Sequence, residues 1–422
     1  MTRSAVWHPF TQHGLGEPIP RVARAEGAML YTDDGRQIVD AISSWWVTTH
    51  GHCHPRIMAA IREQTERLDQ IIFAGWTHAP AEQLAEELVA LLGGALPHIF
   101  YSDSGSTAVE VALKMALGFW LNRGEPRHRI LVLEHGYHGD TVGTMSVGAR
   151  GVYNRAYAPL LFDVETIPFP IGQGTNTLEA LDAACRARPA AFILEPLVLG
   201  AGGMLFYEPD LLKQMRAICT RHGVLFIADE VMTGWGRTGT LFASEQASIV
   251  PDILCLSKGL TGGAMPLAVT MATAEIFEAH WSEERATMLF HSSSYTANPI
   301  ACAAALANLA IWREEPVAER IATLGLRQQK HLDALPAGVR NRRRKGTIAA
   351  FELGAESAGY LSALAPKLLG FFQSRDILLR PLGNTVYVMP PYCIGEDALR
   401  LVYASIAEAA ELKLSNWLPG PV

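Results

Sequence analysis

The sequence predicts an α/β protein in which helices cover both faces of a mostly parallel sheet. Short apolar runs such as Val224–Ala228 and Ile253–Leu256 alternate with amphipathic helical patterns between about residues 98 and 258. Near-continuous runs of branched residues are typical of parallel strands, which are buried on both faces. The two runs lead into Asp229 and Lys258, and ligands of open α/β sheets bind beyond the carboxyl ends of the strands.

The chain has 422 residues, which is long enough for a large core and two domains. Because the main strand–helix alternation begins after a region of short strands and turns, we expect a small α+β domain formed by both chain ends. Its N-terminal segment spans residues 1–50 and its C-terminal part residues 313–422. The large domain between them spans residues 51–312.

Composition excludes several classes of protein. A net charge of −7 argues against a dominant nucleic-acid surface. Six scattered cysteines without a C-x-x-C pair form neither a disulfide framework nor a zinc site. No apolar leader opens the chain, and no run approaches the ~18 apolar residues of a membrane span, so we expect a cytoplasmic protein. The basic run Arg340–Lys345 is interpreted as a solvated loop before the apolar run Thr347–Leu353.

Near the N-terminus, the strand Ala28–Thr32 precedes a turn at residues 33–35 and indicates a small subdomain. Trp45 and Trp46 are adjacent and cannot share one face of a helix or strand. Either one of them packs in the core and the other at an interface, or one lines a pocket with its indole N–H available to a ligand. His50, His52 and His54 alternate, but no carboxylate or cysteine completes a metal site, so no metal is predicted.

Helical spacing predicts helices over Pro55–Leu68 and Pro80–Leu92, followed by a strand and the segment SDSGST before another helix. Small residues at a helix N-terminus leave N–H groups free and let a phosphate approach closely. Gly105 and Ser106 are therefore candidate phosphate ligands. An ordinary N-cap by Ser104 or Ser106 is the alternative.

Further strands end in polar side chains as well. Arg129–Leu133 leads to Tyr137, which could stack on a flat ring, and Ala190–Leu194 leads to Glu195. Residues 151–180 read as a weakly structured connection. The polar groups expected at one edge of the sheet form a site together: Ser106, Tyr137, Glu195, Asp229 and Lys258.

Beyond Lys258, the hydroxyl-rich segment Phe290–Pro299 opens the helix Ile300–Trp312, either as a second phosphate-type site or as an N-cap. From about residue 315 the pattern changes to helix, strands and helix. Arg380 follows an apolar strand there and would be costly to bury unpaired. A substrate carboxylate is a natural partner for its guanidinium.

A carboxylate and an amine at neighbouring strand ends suit a pyridoxal-phosphate (PLP) enzyme, with Lys258 bonding the cofactor and Asp229 holding a proton on its ring nitrogen. Both could instead be solvated strand ends, and Asp229 with Glu230 could bind a metal or belong to a nucleotide site. No G-x-x-x-x-G-K-[ST] loop supports nucleotide binding.

These motifs together resemble the class III aminotransferases of PLP fold type I, from about residue 7 to 392. In chain order they are WHPFT, SSWW, SDSGS, GYHGDT, LEP, ADEVMTGWGRTG, LSKGLTGG, SYTANP, LRP and MPPY. The segments WHP, SSWW and MPPY are similar to the branch that makes 7,8-diaminononanoate from 8-amino-7-oxononanoate in biotin synthesis. That resemblance implies S-adenosyl-L-methionine as amino donor and a homodimer with active sites at the subunit interface.

The resemblance also implies roles for individual residues. Lys258, Asp229 and Tyr137 would be catalytic. PLP would be bound by Gly105, Ser106, Tyr137, Glu195, Asp229, Lys258, Ser293 and Ser294, with Ser294 coming from the neighbouring subunit. Substrates would be bound by Phe10, Trp45, Tyr137, Lys258, Ser292 and Arg380, with Arg237 and Tyr387 as weaker candidates.

Two departures from the family pattern bear on the amino donor. Phe10 stands where relatives that use adenosylmethionine usually carry tyrosine, and Ser292–Ser294 replace a Gly-Pro-Thr triplet. Lysine-using relatives tend to carry phenylalanine at the first position, whereas the intact Trp45–Trp46 pair favours adenosylmethionine. Lysine as donor, or another ω-amino aminotransferase of the same class, stays the alternative.

Overall fold

The structure, a computed structural model, describes residues 4–354 and 364–412. The strands of this part of the chain are β1 (Val22–Glu26), β2 (Met29–Thr32), β3 (Gln37–Asp40), β4 (His98–Ser102), β5 (Ile130–Leu133), β6 (Glu165–Ile167), β7 (Ala191–Leu194), β8 (Val198–Leu199), β9 (Leu205–Phe206), β10 (Leu225–Asp229), β11 (Ile253–Leu256), β12 (Ala268–Ala272), β13 (Arg340–Lys345), β14 (Ile348–Glu352), β15 (Ile377–Leu378) and β16 (Thr385–Val388).

The helices of the same residues are α1 (Ser43–Trp46), α2 (Pro55–Thr65), α3 (Ala79–Leu91), α4 (Gly105–Asn122), α5 (Val142–Ser146), α6 (Thr175–Cys185), α7 (Pro209–His222), α8 (Ala274–Glu278), α9 (Pro299–Glu314), α10 (Val317–Asp333), α11 (Leu364–Gln373) and α12 (Glu396–Glu411). Short 3₁₀ helices cover His13–Leu15, Arg155–Leu160, Ala243–Ala247, Lys258–Thr261 and Arg285–Thr287. None of these helices is long and apolar enough to cross a membrane.

The central sheet has seven strands in the order β4-β12-β11-β10-β7-β5-β6. Strand β12 is antiparallel to β11 and to β4, and the other neighbouring strands pair in parallel. The predicted α/β class with a mostly parallel sheet is therefore confirmed. The carboxyl ends of β4, β5, β7, β10 and β11 consequently lie at one edge of the sheet.

Alternate residues of the central strands pack into different cores, as expected for a sheet covered on both faces. In β10, Phe226 and Ala228 belong to one buried cluster, whereas Leu225 and Ile227 belong to the other. The second cluster includes the apolar face of α4. This two-sided burial explains why the strands are nearly continuous apolar runs.

The two ends of the described chain meet in one of the smaller sheets. Strands β1, β2 and β3 are antiparallel, and β15 joins the edge of β3 in parallel, with Leu378 opposite Asp40. A second antiparallel sheet has the order β13-β14-β16. Domain boundaries near residues 50 and 313 stay a proposal, which this shared sheet supports.

Two predictions about secondary structure are wrong. Residues 151–180 were expected to form a weakly structured connection, but they contain β6 and the start of α6. The sequence pattern does not reveal β6, because this strand is only three residues long and has two polar residues, Glu165 and Thr166. The run Arg340–Lys345 is strand β13 rather than a solvated loop. Long arginine stems cover apolar surface while the guanidinium groups find acceptors, so a basic run can form a partly buried strand.

The arginines of β13 bind backbone carbonyls. Arg342 donates to the carbonyls of Leu335 at 2.7 Å and Pro336 at 2.6 Å, just beyond the end of α10. Arg343 donates through Nε to the Met204 carbonyl at 2.7 Å and through Nη2 to the Gly203 carbonyl at 2.9 Å. The guanidinium groups of Arg342 and Arg343 therefore have hydrogen-bond acceptors within the protein.

Candidate active site

A cavity of about 780 Å³ opens at the carboxyl-terminal edge of the central sheet. It brings together the side chains predicted at the strand ends and those predicted on the substrate side, which are Phe10, Trp45, Gly105, Ser106, Tyr137, Glu195, Asp229, Lys258 and Arg380. Trp46 and Tyr387 line it as well. Phe10 and Tyr387, which are 377 positions apart in the chain, therefore share one pocket.

Lys258 begins a 3₁₀ helix, separated from the end of β11 by one residue, and has a left-handed backbone with φ of +47°. A lysine in that conformation is strained, and such strain is concentrated at functional sites. Its Nζ atom lies 4.7 Å from the centre of the Trp46 ring. Burial lowers the pKa of Lys258 from 10.5 to about 8, although the nearby Asp229 and Glu195 act in the opposite direction. A large share of the amine is therefore neutral in mildly alkaline solution.

Asp229 ends β10 and is held by two contacts. One carboxylate oxygen accepts the Val231 N–H at 3.1 Å, and the other lies 2.7 Å from Nδ1 of His138. The side chain of His138 is fully buried, and its Nε2 atom has no partner among the described residues. His138 is absent from the residues that the sequence predicts. Its position next to Tyr137 in the strand-exit motif GYHGDT is the signal that could have found it.

Glu195 follows β7 and is buried, and its carboxylate is bound by backbone N–H groups. Its two oxygens accept the N–H groups of Tyr137 at 3.0 Å and Gly200 at 2.9 Å. Burial raises the pKa of Glu195 to about 7, and the negative charge of Asp229 contributes in the same direction. Glu195 thus fixes the backbone that carries Tyr137.

Glu230 points away from the cavity. Its carboxylate accepts the N–H groups of Ala243 at 2.6 Å and Ser244 at 2.8 Å, together with the Ser244 hydroxyl at 2.6 Å. It therefore holds the start of a 3₁₀ helix. No cluster of three His, Cys, Asp or Glu side chains in the described parts of the chain has the geometry of a metal site.

The N-terminus of α4 has the features of a phosphate cradle. Ser104 caps the helix by accepting the Thr107 N–H, so the predicted N-cap exists beside the candidate phosphate ligands. The N–H groups of Gly105 and Ser106 have no hydrogen-bond partner among the described residues. Space there is narrow, because a Cβ on Gly105 would lie 2.6 Å from a Val231 methyl group. A phosphate could accept both N–H groups.

The outer wall of the cavity is aromatic and basic. The Phe10 ring lies 5.7 Å from the Trp45 ring, and the Arg380 guanidinium lies 5.3 Å from the centre of Trp45. Arg380 donates to the Phe10 carbonyl at 3.0 Å and has no carboxylate partner among the described residues. Trp46 is buried behind this wall, and its indole N–H donates to the Tyr387 hydroxyl at 3.0 Å.

The structure does not bring every candidate to the cavity. Ser292, Ser293 and Ser294 lie outside it in a single chain. The expectation that Arg237 contacts substrate is wrong, because Arg237 is fully buried and donates to the backbone carbonyls of Pro390 and Thr48. The partners of Arg237 lie at distant positions of the chain, so the sequence around it could not show that it binds backbone carbonyls.

A mostly parallel α/β fold with a partly buried lysine, a buried carboxylate and a helix N-terminus at one edge of the sheet has the groups that a PLP-dependent transferase needs. The family model for class III aminotransferases matches residues 12–410. The chain belongs to the class III aminotransferases.

Relatives with known names agree with this family. An adenosylmethionine-8-amino-7-oxononanoate aminotransferase of Synechococcus elongatus is 45% identical over 96% of this chain and 97% of its own length. One of Nitratidesulfovibrio vulgaris is 38% identical over 96% of this chain and 80% of its own. The structure of the Methanocaldococcus jannaschii enzyme of that name has a TM-score of 0.92 and 33% identity, and 96% of this chain and 97% of that chain are covered.

A further neighbour carries the cofactor. The amine transaminase of an uncultivated Pseudomonas species, in its PLP-bound form, has a TM-score of 0.87 and 32% identity over 97% of this chain and 98% of that chain. The residues of this cavity fit PLP, because an amine, a carboxylate and two unpartnered backbone N–H groups surround one space. PLP is the cofactor of this aminotransferase.

Proposed function

We propose that this enzyme transfers an amino group from S-adenosyl-L-methionine to 8-amino-7-oxononanoate and so forms 7,8-diaminononanoate for biotin synthesis. The observation that carries the proposal is Arg380, a guanidinium without a carboxylate partner among the described residues, beside Trp45 on the cavity wall. A long substrate with a terminal carboxylate suits that pair. The names of the most similar relatives support the same substrates.

In the proposed reaction, Asp229, His138 and Lys258 hold or transfer protons. Bound PLP supplies an electron sink for the carbon that carries the amino group. Asp229 holds the proton on the ring nitrogen, and His138 orients the Asp229 carboxylate through its Nδ1 contact. Lys258, once its Nζ is free, moves the proton to and from the substrate carbon. Its lowered pKa suits that task, because a neutral amine accepts a proton.

Other residues bind and orient. We assign the phosphate group to the N–H groups of Gly105 and Ser106, and the flat face of the cofactor to Tyr137. We assign the substrate carboxylate to Arg380, which meets it bidentately, and the apolar chain to Trp45 and Phe10. The aromatic wall also excludes water from the carbon chain.

We also propose a cytoplasmic homodimer in which each subunit completes the cavity of the other. Ser292, Ser293 and Ser294 lie outside the cavity of their own chain, which is compatible with a contribution to a second subunit. In that arrangement Ser293 and Ser294 bind the phosphate and Ser292 lies near the substrate. The large and small domains meet near residues 50 and 313.

The test is a half-reaction in which purified PLP enzyme is mixed with adenosylmethionine, lysine or 4-aminobutyrate, each in turn. Bleaching of the visible band to the pyridoxamine form is followed, and Lys258→Ala serves as the control without that band. We expect conversion with adenosylmethionine and return of the band after addition of 8-amino-7-oxononanoate. Conversion with lysine alone would replace the donor, and conversion with 4-aminobutyrate alone would overturn the substrate assignment.

A further inference from the structure

The segment that carries both tryptophans has an unusual backbone. Ser43, Ser44 and Trp46 have φ values of +55°, +58° and +66°, and Ser44 combines its φ with a ψ of −99°. Residues other than glycine are strained in this region, at a cost on the order of 1–3 kcal/mol each, and they persist only where the surroundings hold them. Contacts with neighbouring residues must therefore stabilise residues 43–46, which we name the tryptophan turn.

Asp40 holds the tryptophan turn from inside the protein. Its side chain has no solvent exposure, and its two oxygens accept the N–H groups of Ile42 at 3.1 Å and Ser44 at 2.6 Å. The second oxygen also lies 2.7 Å from Nε2 of His52. A buried carboxylate is stable only when it is paired, so the contact with His52 maintains the acceptor of the turn.

His52 is itself fixed by the backbone. Its N–H donates to the Gly27 carbonyl at 2.7 Å, and the Gly27 N–H donates back at 3.2 Å. Opposite Asp40, strand β15 pairs in register at Leu378, and the Ala41 N–H donates to the Leu378 carbonyl at 3.2 Å. Arg380 follows two residues later. One short stretch, residues 40–41, therefore connects the tryptophan turn with the segment of the substrate-binding arginine.

We propose that the pair Asp40–His52 is a positioning device that sets the distance between Trp45 and Arg380, and with it the affinity for the carboxylate-bearing substrate. Neither residue lines the cavity, so neither contacts substrate or cofactor. The inference rests on the proposed function for the identity of the substrate. The strained turn and the contacts of Asp40 that hold it, which we name the clamp, are present in the structure whatever the substrate is.

The chain offers a matched control. Asp182 and His222 form a second contact between carboxylate and imidazole, 2.9 Å apart, and lie outside the cavity lining. The variants to compare are Asp40→Asn, which replaces one acceptor oxygen by a donor, His52→Leu, His52→Gln and Asp182→Asn. Glutamine can return a donor to the position of the imidazole Nε2 atom.

Steady-state kinetics with each substrate varied in turn is the first readout. We expect Asp40→Asn and His52→Leu to raise the KM for 8-amino-7-oxononanoate about 10- to 100-fold with kcat within about twofold, as expected from losing a charged hydrogen bond. His52→Gln should recover most of this loss, and Asp182→Asn should keep the parent KM. An unchanged KM in Asp40→Asn, or an equal effect of Asp182→Asn, would overturn the proposal.

Amide hydrogen exchange on the PLP-loaded protein is the second readout and is independent of turnover. Exchange in a peptide spanning residues 41–48 should be about 10- to 100-fold faster in Asp40→Asn, because asparagine keeps one acceptor oxygen and one of the amides of Ile42 and Ser44 therefore loses its acceptor. If the parent does not turn over 8-amino-7-oxononanoate, the proposed function fails, and the exchange rates alone decide whether the clamp exists. If Asp40→Asn does not fold, His52→Leu decides both readouts.

Discussion

The floor and the outer wall of the cavity are built in different ways. The floor consists of Lys258, Asp229 and Glu195, which lie at the carboxyl ends of neighbouring parallel strands of one sheet. The wall consists of Phe10, Trp45 and Arg380, and the bond from Arg380 to the Phe10 carbonyl joins residues 370 positions apart. The residues proposed to carry the reaction chemistry thus lie at strand ends, whereas those proposed to bind substrate are brought together by contacts between the two ends of the chain.

The two regions also differ in their exposure. Asp229 and Glu195 are each 4% exposed, so desolvation shapes the electrostatics of the floor. Phe10 is 46% exposed and Trp45 is 44% exposed, which leaves the wall accessible to a long substrate. Changes in the floor should therefore reduce kcat, and changes in the wall should act on KM.

The largest effect is expected from Asp229→Asn. An amide cannot hold the ring-nitrogen proton by charge, so kcat should fall about 10²- to 10³-fold, whereas KM for the carboxylate substrate stays within a few-fold. Stopped-flow measurement of the half-reaction reports the chemical step. Glu230→Gln is the matched control, because the neighbouring carboxylate faces away from the cavity. A similar loss of kcat in the control would contradict the separation of roles.

This contrast explains what sequence could predict. The residues of the floor could be predicted from the sequence because Asp229 and Lys258 each interrupt an apolar pattern at a strand end. His138 was missed, since its role depends on a 2.7 Å contact with a residue 91 positions away. The predictions about Arg237 and the run Arg340–Lys345 were wrong for the same reason. Whether an arginine contacts substrate, solvent or backbone carbonyls depends on packing between distant segments.

On the wall, Arg380→Ala should raise the KM for 8-amino-7-oxononanoate about 10- to 100-fold, because a charged hydrogen-bonded contact with the substrate carboxylate is lost. The visible band and the affinity for PLP should match the parent. Arg375→Ala is the control, since this nearby arginine pairs with Glu408 at the surface. The measurement is initial rate against substrate concentration together with PLP titration. Equal loss of PLP binding and substrate affinity would refute the assignment.

The pH dependence of cofactor loading tests the electrostatics of the floor. Burial lowers the pKa of Lys258 from 10.5 to about 8. Since the neutral amine is the nucleophile, the rate of PLP incorporation into PLP-free protein should rise about tenfold per pH unit below 8 and level off above it. Glu195→Gln removes a negative charge that raises the pKa of Lys258, so its midpoint should lie at lower pH. A rate that keeps rising to pH 10 would disprove the shift.

The smallest effect concerns the amino donor and the outer end of the wall. Phe10 packs 5.7 Å from the Trp45 ring and 6.2 Å from the Tyr153 ring, so a tyrosine hydroxyl at this position would add a polar group to an aromatic cluster. One neutral hydrogen bond contributes about 0.5–1.5 kcal/mol. Phe10→Tyr should therefore improve the half-reaction with adenosylmethionine about 2- to 10-fold and leave Lys258-dependent cofactor loading unchanged. The bleaching rate with each donor measures this, and a gain confined to lysine would mean that the aromatic residue at position 10 does not favour adenosylmethionine.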